Sequence, residues 1–168
     1  MKKIILSAIA VMAFTFANAQ SGQFKIGAHA GVVFGDLKDS YSANLGIDAA
    51  YLWNVTDEFS VGATTGYTAY APKSYNYNDG YMPYRVESSE AGFVPIAATA
   101  QYSITDYLFA GADLGYAIYA ASGNGDGGVL YQPKFGYQSK KVELFVSYKG
   151  ISADATLSSL NIGFNYKF

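Results

Sequence analysis

Eight segments of this chain alternate polar and apolar side chains with a period of two residues. Successive side chains of a β-strand point to opposite faces, so the alternation predicts strands with one polar and one apolar face. After the amino-terminal segment, no stretch stays apolar for the roughly 18 residues that a membrane-spanning helix needs. The pattern therefore predicts an all-β fold. The eight segments are residues 24–34, 44–53, 59–70, 93–103, 107–119, 129–138, 142–149 and 160–168.

The two faces of these segments differ in chemistry. One face holds apolar and aromatic side chains without a charge, whereas the other holds charged and amide side chains and many of the glycines. A soluble barrel turns its charged face to water, but a membrane barrel turns it inward, because a charge at the bilayer midplane costs about 2–4 kcal/mol. Alternation alone leaves both arrangements open. The polar face comprises Lys25, His29, Asp48, Thr64, Gln101, Asp113, Gln132, Lys134, Gln138, Glu143, Lys149, Asn161, Asn165 and Lys167.

The amino terminus has the pattern of a secretory signal peptide. Lys2 and Lys3 precede an apolar run over residues 4–17, and Ala17-Asn18-Ala19 has the small residues of a cleavage site. This run is shorter than the roughly 20 residues of a transmembrane helix. We therefore expect cleavage near Ala19, which removes residues 1–19 and leaves residues 20–168 as a single barrel domain.

The carboxy terminus favours the membrane arrangement. The chain ends on an alternating strand in which a polar residue is followed by glycine and two aromatic residues, namely Asn161, Gly163, Tyr166 and Phe168. This strand resembles the signal by which Gram-negative barrel proteins are delivered to their insertion machinery. Together the two ends indicate that the polar face lines the lumen and the apolar face meets lipid.

With these features the whole mature chain resembles the small eight-stranded outer-membrane β-barrel family, typified by outer-membrane protein X and the barrel domain of outer-membrane protein A. The resemblance implies an eight-stranded antiparallel up-and-down transmembrane β-barrel in the Gram-negative outer membrane. It also implies that the chain is monomeric and that its partners are outer-membrane lipid and the barrel-insertion machinery. Pro95 and Pro133 depart from the family pattern, because proline forfeits a hydrogen bond of the ladder and belongs at a bulge or an edge.

The amino-acid composition excludes several kinds of site and gives no support to others. The chain has no cysteine, which excludes disulfides and thiolate metal sites, and its net charge of −2 gives no reason to expect nucleic acid as a partner. Its 16 Tyr, 11 Phe and 18 Gly are typical of a β-rich protein that seeks membrane interfaces. We expect neither a cofactor nor a metal ion.

The predicted connections alternate in length, as in outer-membrane barrels. Residues 54–58, 103–106 and 139–141 form short turns, which we expect to face the periplasm together with both termini. The connections at 35–43, 71–92, 120–128 and 150–159 are mostly longer and are expected to face the exterior.

The connection at 71–92 is the most distinctive of these, because Asn78-Asp79-Gly80 is a strong hairpin-turn signal. Tyrosine gives rigid, amphipathic contact surfaces and also favours lipid headgroups, so two roles are open, adhesion to an extracellular surface partner or simple contact with the membrane. We predict a β-ribbon with a surface-binding role. Its tyrosines are Tyr75, Tyr77, Tyr81 and Tyr84.

The sequence constrains the function of this protein less than its fold. His29 is the only histidine, and its place on the lumen face predicts an interior hydrogen-bonded residue rather than a catalytic one. We therefore expect a protein with a structural or surface-interaction role and no enzymatic activity. The alternative is a narrow porin-like conduit for small or apolar solutes.

Overall fold

The computed structural model describes residues 22–78, 83–87, 90–121 and 125–168, with the backbone alone at 74–78 and 83–87. No helix in this part of the chain has the length and apolar character needed to cross a bilayer. The predicted signal peptide lies outside the described residues. The strands are β1 Gly22–Phe34, β2 Tyr41–Asn54, β3 Phe59–Pro72, β4 Ser74–Asn78, β5 Pro83–Glu87, β6 Ala91–Ser103, β7 Leu108–Tyr119, β8 Gly128–Gln138, β9 Val142–Ser152 and β10 Thr156–Lys167.

Eight of these strands form a closed antiparallel barrel. Each pairs with its neighbours in the order β1, β2, β3, β6, β7, β8, β9 and β10, and β10 pairs back onto β1. Closure gives every strand two partners, so the barrel wall has no free edge. This confirms the predicted eight-stranded up-and-down barrel.

The inverted arrangement of the two faces is also confirmed. Ile162 and Leu45 on the outer face are 68% and 66% exposed, whereas Lys25 and Glu143 on the inner face are 3% and 1% exposed. A soluble protein would not leave a whole wall of such apolar side chains uncovered. The outer face therefore suits hydrocarbon, and the lumen holds the charges.

Both prolines lie inside barrel strands without shifting the register. Pro95 pairs with Ala117 on β7, but the ladder between β6 and β3 is interrupted opposite it. Pro133 likewise pairs with Ala112 on β7, while the ladder between β8 and β9 is interrupted. Each proline thus loses pairing on one side only, so the expected bulge is not needed.

Glycine makes room for large side chains in the lumen. A Cβ on Gly46 would overlap the ring of His29, and a Cβ on Gly163 would overlap the ring of Phe145. The inward-facing glycines therefore let bulky neighbours fold over the wall.

One predicted connection is wrong. The loop expected at 150–159 is a three-residue turn, because β9 continues to Ser152 and β10 begins at Thr156. In this part of the barrel the inward residues are Ile151 and Leu157, which are buried and apolar. The strand ends were missed because alternation of polar and apolar residues stops where the lumen itself becomes apolar.

The two ends of the barrel are named here by their connections. The short-turn end carries the turns at 55–58, 104–107 and 139–141 and both ends of the described chain. The long-loop end carries the connection that contains β4 and β5. The turn between β9 and β10 lies at this end as well.

At the long-loop end, β4 and β5 pair with each other as a two-stranded ribbon. Its register continues that of the barrel wall: Tyr70 of β3 pairs with Ala91 of β6, and Ser74, four residues later, pairs with Glu87, four residues earlier. The ribbon is therefore an in-register extension of the hairpin formed by β3 and β6. The predicted ribbon is confirmed, although Asp79, Gly80 and Tyr81 lie outside the described residues.

Whether the outer face lies in the bilayer can be tested by placing arginine in the middle of β7 and just beyond its end. Ala112 is exposed at the middle of the strand, and Ala120 is exposed just beyond its end. Ala112→Arg should lower the free energy of unfolding by about 2–4 kcal/mol, and Ala120→Arg by about 0–1 kcal/mol. Denaturant titrations of the barrel in lipid vesicles measure both values. Equal losses at the two positions would contradict a membrane-embedded wall.

Candidate functional sites in the lumen and the loop ribbon

A charged network centred on Glu143 lies in the lumen near the short-turn end. Lys25 Nζ lies 2.6 Å from Glu143 Oε1 and donates to Gln101 Oε1 at 2.9 Å. Gln101 Nε2 and Asn165 Nδ2 donate to the two carboxylate oxygens, each at 3.0 Å, and Lys167 Nζ is 3.7 Å from Oε1. These side chains come from β1, β6, β9 and β10, so the network ties together strands that are not neighbours.

A second ion pair lies deeper in the lumen. Lys134 Nζ is 2.6 Å from Asp113 Oδ2, and it also sits 5.7 Å from the ring centroid of Phe145. A cation over an aromatic face is attracted by the ring quadrupole. The three side chains come from the adjacent strands β7, β8 and β9 and fill one side of the lumen.

His29 lies at the centre of a third cluster. Its Nδ1 is 2.6 Å from Asp48 Oδ2, and because a carboxylate only accepts hydrogen bonds, the Nδ1–H group is the donor. On the other side of the ring, Lys149 Nζ donates to Nε2 at 2.9 Å and to Thr68 Oγ1 at 3.1 Å. The prediction of an interior hydrogen-bonded histidine is confirmed.

One residue of this cluster, Thr68, was not predicted from the sequence. Thr68 Oγ1 lies 3.3 Å from His29 Nε2, which completes a row of carboxylate, imidazole and hydroxyl like that used by hydrolases. Here, however, Thr68 is 1% exposed, and Nε2 already accepts a hydrogen bond from Lys149. The parity of Thr68 along β3 places it on the lumen face, but nothing local in the sequence shows that β1, β3 and β9 bring these groups together.

The long-loop end of the lumen is mainly apolar, although buried Asn44, Ser158 and Ser159 also lie there. This corrects the expectation that the polar face lines the lumen. Aromatic rings of the neighbouring strands β3, β6 and β7 contact one another there, with centroid distances of 5.8 Å between Tyr70 and Phe93 and 5.5 Å between Phe93 and Tyr119. The signal in the sequence was a run of apolar residues on both faces, as at Val129-Leu130-Tyr131. We call the buried apolar side chains at this end the apolar plug. They are Tyr70, Ala91, Phe93, Ala97, Ala117, Leu130, Ile151 and Leu157.

At the opposite end the lumen opens into a polar cavity of about 770 Å³. Lys25, Gln101 and Lys167 from the network around Glu143 form part of its lining, and Asp57 and Asp106 on the short turns contribute to it. Across the described residues, no group of three or more His, Cys, Asp or Glu side chains is placed to hold a metal ion. The cavity therefore lies between the short turns and the network around Glu143.

The ribbon brings together three of the four tyrosines proposed as a surface-binding loop. Tyr75 pairs with Val86 and Tyr77 pairs with Tyr84, and residues directly opposite each other share a face of a sheet. The positions of Tyr75, Tyr77, Tyr84 and Val86 therefore lie on one face. Tyr81 falls outside the described residues, and Val86 is a member of this face that was not predicted from the sequence.

The four residues of the predicted insertion signal lie along β10 and its end. Asn161 is buried and donates through Nδ2 to Ser159 Oγ at 3.1 Å, while Gly163 faces the ring of Phe145. The rings of Tyr166 and Phe168 are 4.9 Å apart, and the Phe168 N–H donates to the Phe24 carbonyl at 2.9 Å. The terminal residues thus complete the seam at which β10 closes onto β1. Their role as a signal stays a prediction.

The network around Glu143 predicts that a single substitution there lowers the free energy of unfolding strongly. Glu143→Gln leaves Lys25 and Lys167 buried without their carboxylate, and breaking a buried ion pair in this way costs about 3–5 kcal/mol. Asp106→Asn, in an exposed turn at the same end, removes one carboxylate as well and should change the free energy of unfolding by less than about 0.5 kcal/mol. Unfolding titrations in lipid vesicles compare the two. Similar small effects would show that the network contributes nothing to closing the barrel.

The sequence matches no protein-family model and no curated protein. Among solved structures, the chain is similar to a de novo designed transmembrane β-barrel, with a TM-score of 0.55, 13% identity and coverage of 89% of this chain and 98% of that one. It is also similar to the attachment invasion locus protein Ail of Yersinia pestis, with a TM-score of 0.53, 13% identity and coverage of 88% and 98%.

A third similar structure is the N-terminal β-barrel domain of Pseudomonas aeruginosa OprF, with a TM-score of 0.50, 12% identity and coverage of 87% of this chain and 97% of that one. At such identities the likeness concerns the fold. The closed ladder of eight antiparallel strands, the apolar outer wall and this likeness identify the chain as a small eight-stranded transmembrane β-barrel of the outer-membrane type.

Proposed function

We propose that this protein is a surface-interaction protein of the outer membrane with an adhesion-like, non-catalytic role. In this proposal the barrel is an anchor and the ribbon of β4 and β5 presents the interacting surface. The observation that carries the proposal is the combination of a filled lumen with a wall hairpin that continues beyond the barrel. Loops that bind partners are commonly held by a rigid scaffold of this kind.

The filled lumen supports an anchoring role over transport. An eight-stranded barrel has an interior just wide enough for its own side chains. Here ion pairs occupy the short-turn end and the middle, and the apolar plug occupies the long-loop end. A solute would have to displace both sets of contacts to cross.

The ribbon supports an interaction role because of what its sequence places on one face. Tyr75, Tyr77 and Tyr84 share that face with Val86, as the strand register requires. Tyrosine provides a large, rigid contact area at a low cost in conformational entropy and is enriched in binding loops. In the proposed orientation the short turns and both termini face the periplasm, which directs the ribbon outward.

The state of His29 supports the absence of catalysis. A general base needs a free lone pair within reach of a substrate proton. In this protein Nε2 accepts from Lys149, and the neighbouring hydroxyl of Thr68 is buried. The row of Asp48, His29 and Thr68 is thus best explained as interior packing that satisfies polar groups.

The name of one similar protein is compatible with this role. Ail is an attachment invasion locus protein, and it has been solved in complex with the heparin analogue sucrose octasulfate, in a structure with a TM-score of 0.52 and 14% identity to this chain. The likeness supports a barrel of this size as a scaffold for attachment. The heparin analogue is a ligand of Ail, and no ligand is assigned to this chain from it.

A second candidate function is a narrow conduit for small or apolar solutes. The observation that favours it is the polar cavity of about 770 Å³, which leads from the short-turn end to Lys25 and Gln101. Conduction would also require the apolar plug to open. This candidate stands as the alternative to the surface-interaction role.

We call the ribbon face that carries Tyr75, Tyr77 and Tyr84 the tyrosine face. Its proposed role in adhesion can be tested by removing the aromatic rings. Replacing Tyr75, Tyr77, Tyr81 and Tyr84 with Ser should abolish adhesion of expressing cells to host cells or immobilised matrix protein. The barrel should still fold, because its closed hydrogen-bond ladder does not include the ribbon.

A matched control replaces tyrosines at the other rim. Tyr107 and Tyr137 form a stacked pair at the short-turn end, with ring centroids 6.1 Å apart, and their replacement by Ser should leave adhesion unchanged. Planar-bilayer recordings of the wild type complete the test. Normal adhesion of the ribbon variant, together with discrete ion conductance of the wild type, would favour the conduit.

Outer-membrane assembly gives a separate prediction. Deleting Phe168, or replacing it with Asp, should reduce the amount of folded barrel in the outer membrane, because this residue anchors the membrane interface and completes the predicted signal. Heat-modifiable mobility in fractionated membranes measures the folded barrel. Phe164→Leu, which keeps an apolar outward side chain on β10, serves as the control, and undiminished assembly without Phe168 would contradict the predicted signal.

A further inference from the structure

The two strands of the ribbon differ in how their outer edges are protected. Natural sheets block edge-to-edge pairing with proline and with charged residues. Strand β5 has Pro83, Arg85 and Glu87 among its five residues. Strand β4 has the sequence Ser-Tyr-Asn-Tyr-Asn, without a charge or a proline. The edge of β4 is therefore open to pairing with another strand, whereas the edge of β5 is protected by proline and charged residues.

The edge of β4 becomes free where the barrel wall ends. Along β3 the neighbouring strand is β2, and the last described backbone hydrogen bond between these two parts of the chain runs from the Lys73 N–H to the Ser40 carbonyl at 2.8 Å. The Lys73 side chain also donates to the Lys38 carbonyl at 2.6 Å. From Ser74 onward, β5 is the only strand in the described part of the chain that pairs with β4. The chain turns away on the other side into the short 3-10 helix Gly35–Leu37.

We infer that the edge of β4 docks against the same edge of a second copy of this protein, as an antiparallel pair of strands. This inference rests on the proposed function, in which the ribbon is the interacting surface. Antiparallel pairing about Asn76 is self-complementary: Asn76 faces Asn76 of the second copy, Tyr75 faces Tyr77, and Ser74 faces Asn78. No pair brings two charges together. Such an interface uses the same patch on both copies.

The direction of the strands decides where the second copy sits. Strand β4 follows β3 after one residue and keeps its register, so it runs away from the short-turn end. Two such strands paired antiparallel point their barrels in opposite directions. The partner is therefore a copy in a facing membrane, and the contact joins two cells.

The size of the contact requires many copies. Five residues on each side form an interface well below the standard total of about 1,600 Å². Two membranes that each carry many barrels can form many such contacts at once, and linked contacts raise the overall avidity. The inferred role is homotypic adhesion between cells.

A charge swap at Asn76 tests the inference with intact cells. Cells that produce the wild-type protein should aggregate, and cells with Asn76→Lys or Asn76→Asp should each lose aggregation, because like charges meet at the centre of the pair. Mixing the Lys and Asp populations should restore mixed aggregates, visible with two fluorescent labels. Glu87→Gln, which changes the net charge by the same single unit as Asn76→Lys but on β5, should aggregate like the wild type.

Disulfide mapping tests the strand direction, since the chain has no cysteine of its own. Cells with Ser74→Cys mixed with cells carrying Asn78→Cys should form an intermolecular disulfide under mild oxidation. Cells with Ser74→Cys alone should form none. Crosslinking of Ser74→Cys with itself, or failure of the mixed charge populations to aggregate, would overturn the antiparallel pairing.

The inference and the proposed function can fail separately. If wild-type cells adhere to host cells or matrix through the tyrosine face but do not aggregate with one another, the proposed function stands and the homotypic partner is wrong. If neither adhesion nor aggregation depends on the ribbon, both are wrong. Immunoblots of the folded barrel ensure that every variant is compared at equal surface amount.

Discussion

A chain inside hydrocarbon has to satisfy its backbone N–H and C=O groups by itself, and closure of the ladder between β1 and β10 gives every strand of the barrel two partners for this purpose. The other features of the structure follow from that constraint. Pro95 and Pro133 are tolerated because each interrupts one ladder and leaves the other intact. The rest of the wall remains paired, and neither proline shifts the register.

Closure also decides what the lumen has to contain. Once the apolar face meets lipid, the charged side chains are forced inward, where an unpaired charge is costly. The structure meets this demand with three clusters around Glu143, Asp113 and His29, and it fills the remaining end with the apolar plug. The lumen is thus a two-part core, polar from the short-turn end to the middle and mainly apolar at the long-loop end. A core of this kind suits an anchor more than a channel.

The strands, and which residues share a face, could be predicted because the period of two residues is a local property of the chain. Which face lines the lumen was predicted from the patterns at the two ends of the sequence. The same reasoning located His29 in the lumen, since parity along β1 decides its face. It could not place Thr68 and Lys149 against His29, because that contact depends on which strands meet across the barrel. It also missed the turn between β9 and β10, where buried Ile151 and Leu157 remove the polar signal of the lumen face. The tyrosine ribbon was predicted from its turn residues, but its shared register with the wall was not.

That shared register has a mechanical consequence. In an antiparallel pair the hydrogen bonds run perpendicular to the strands. A force that pulls on the ribbon along its axis is therefore passed into β3 and β6 as shear, and it loads many bonds of the wall at the same time. A force directed perpendicular to the strands would instead load these bonds one after another. The barrel is consequently built to resist tension at the place where the ribbon leaves it.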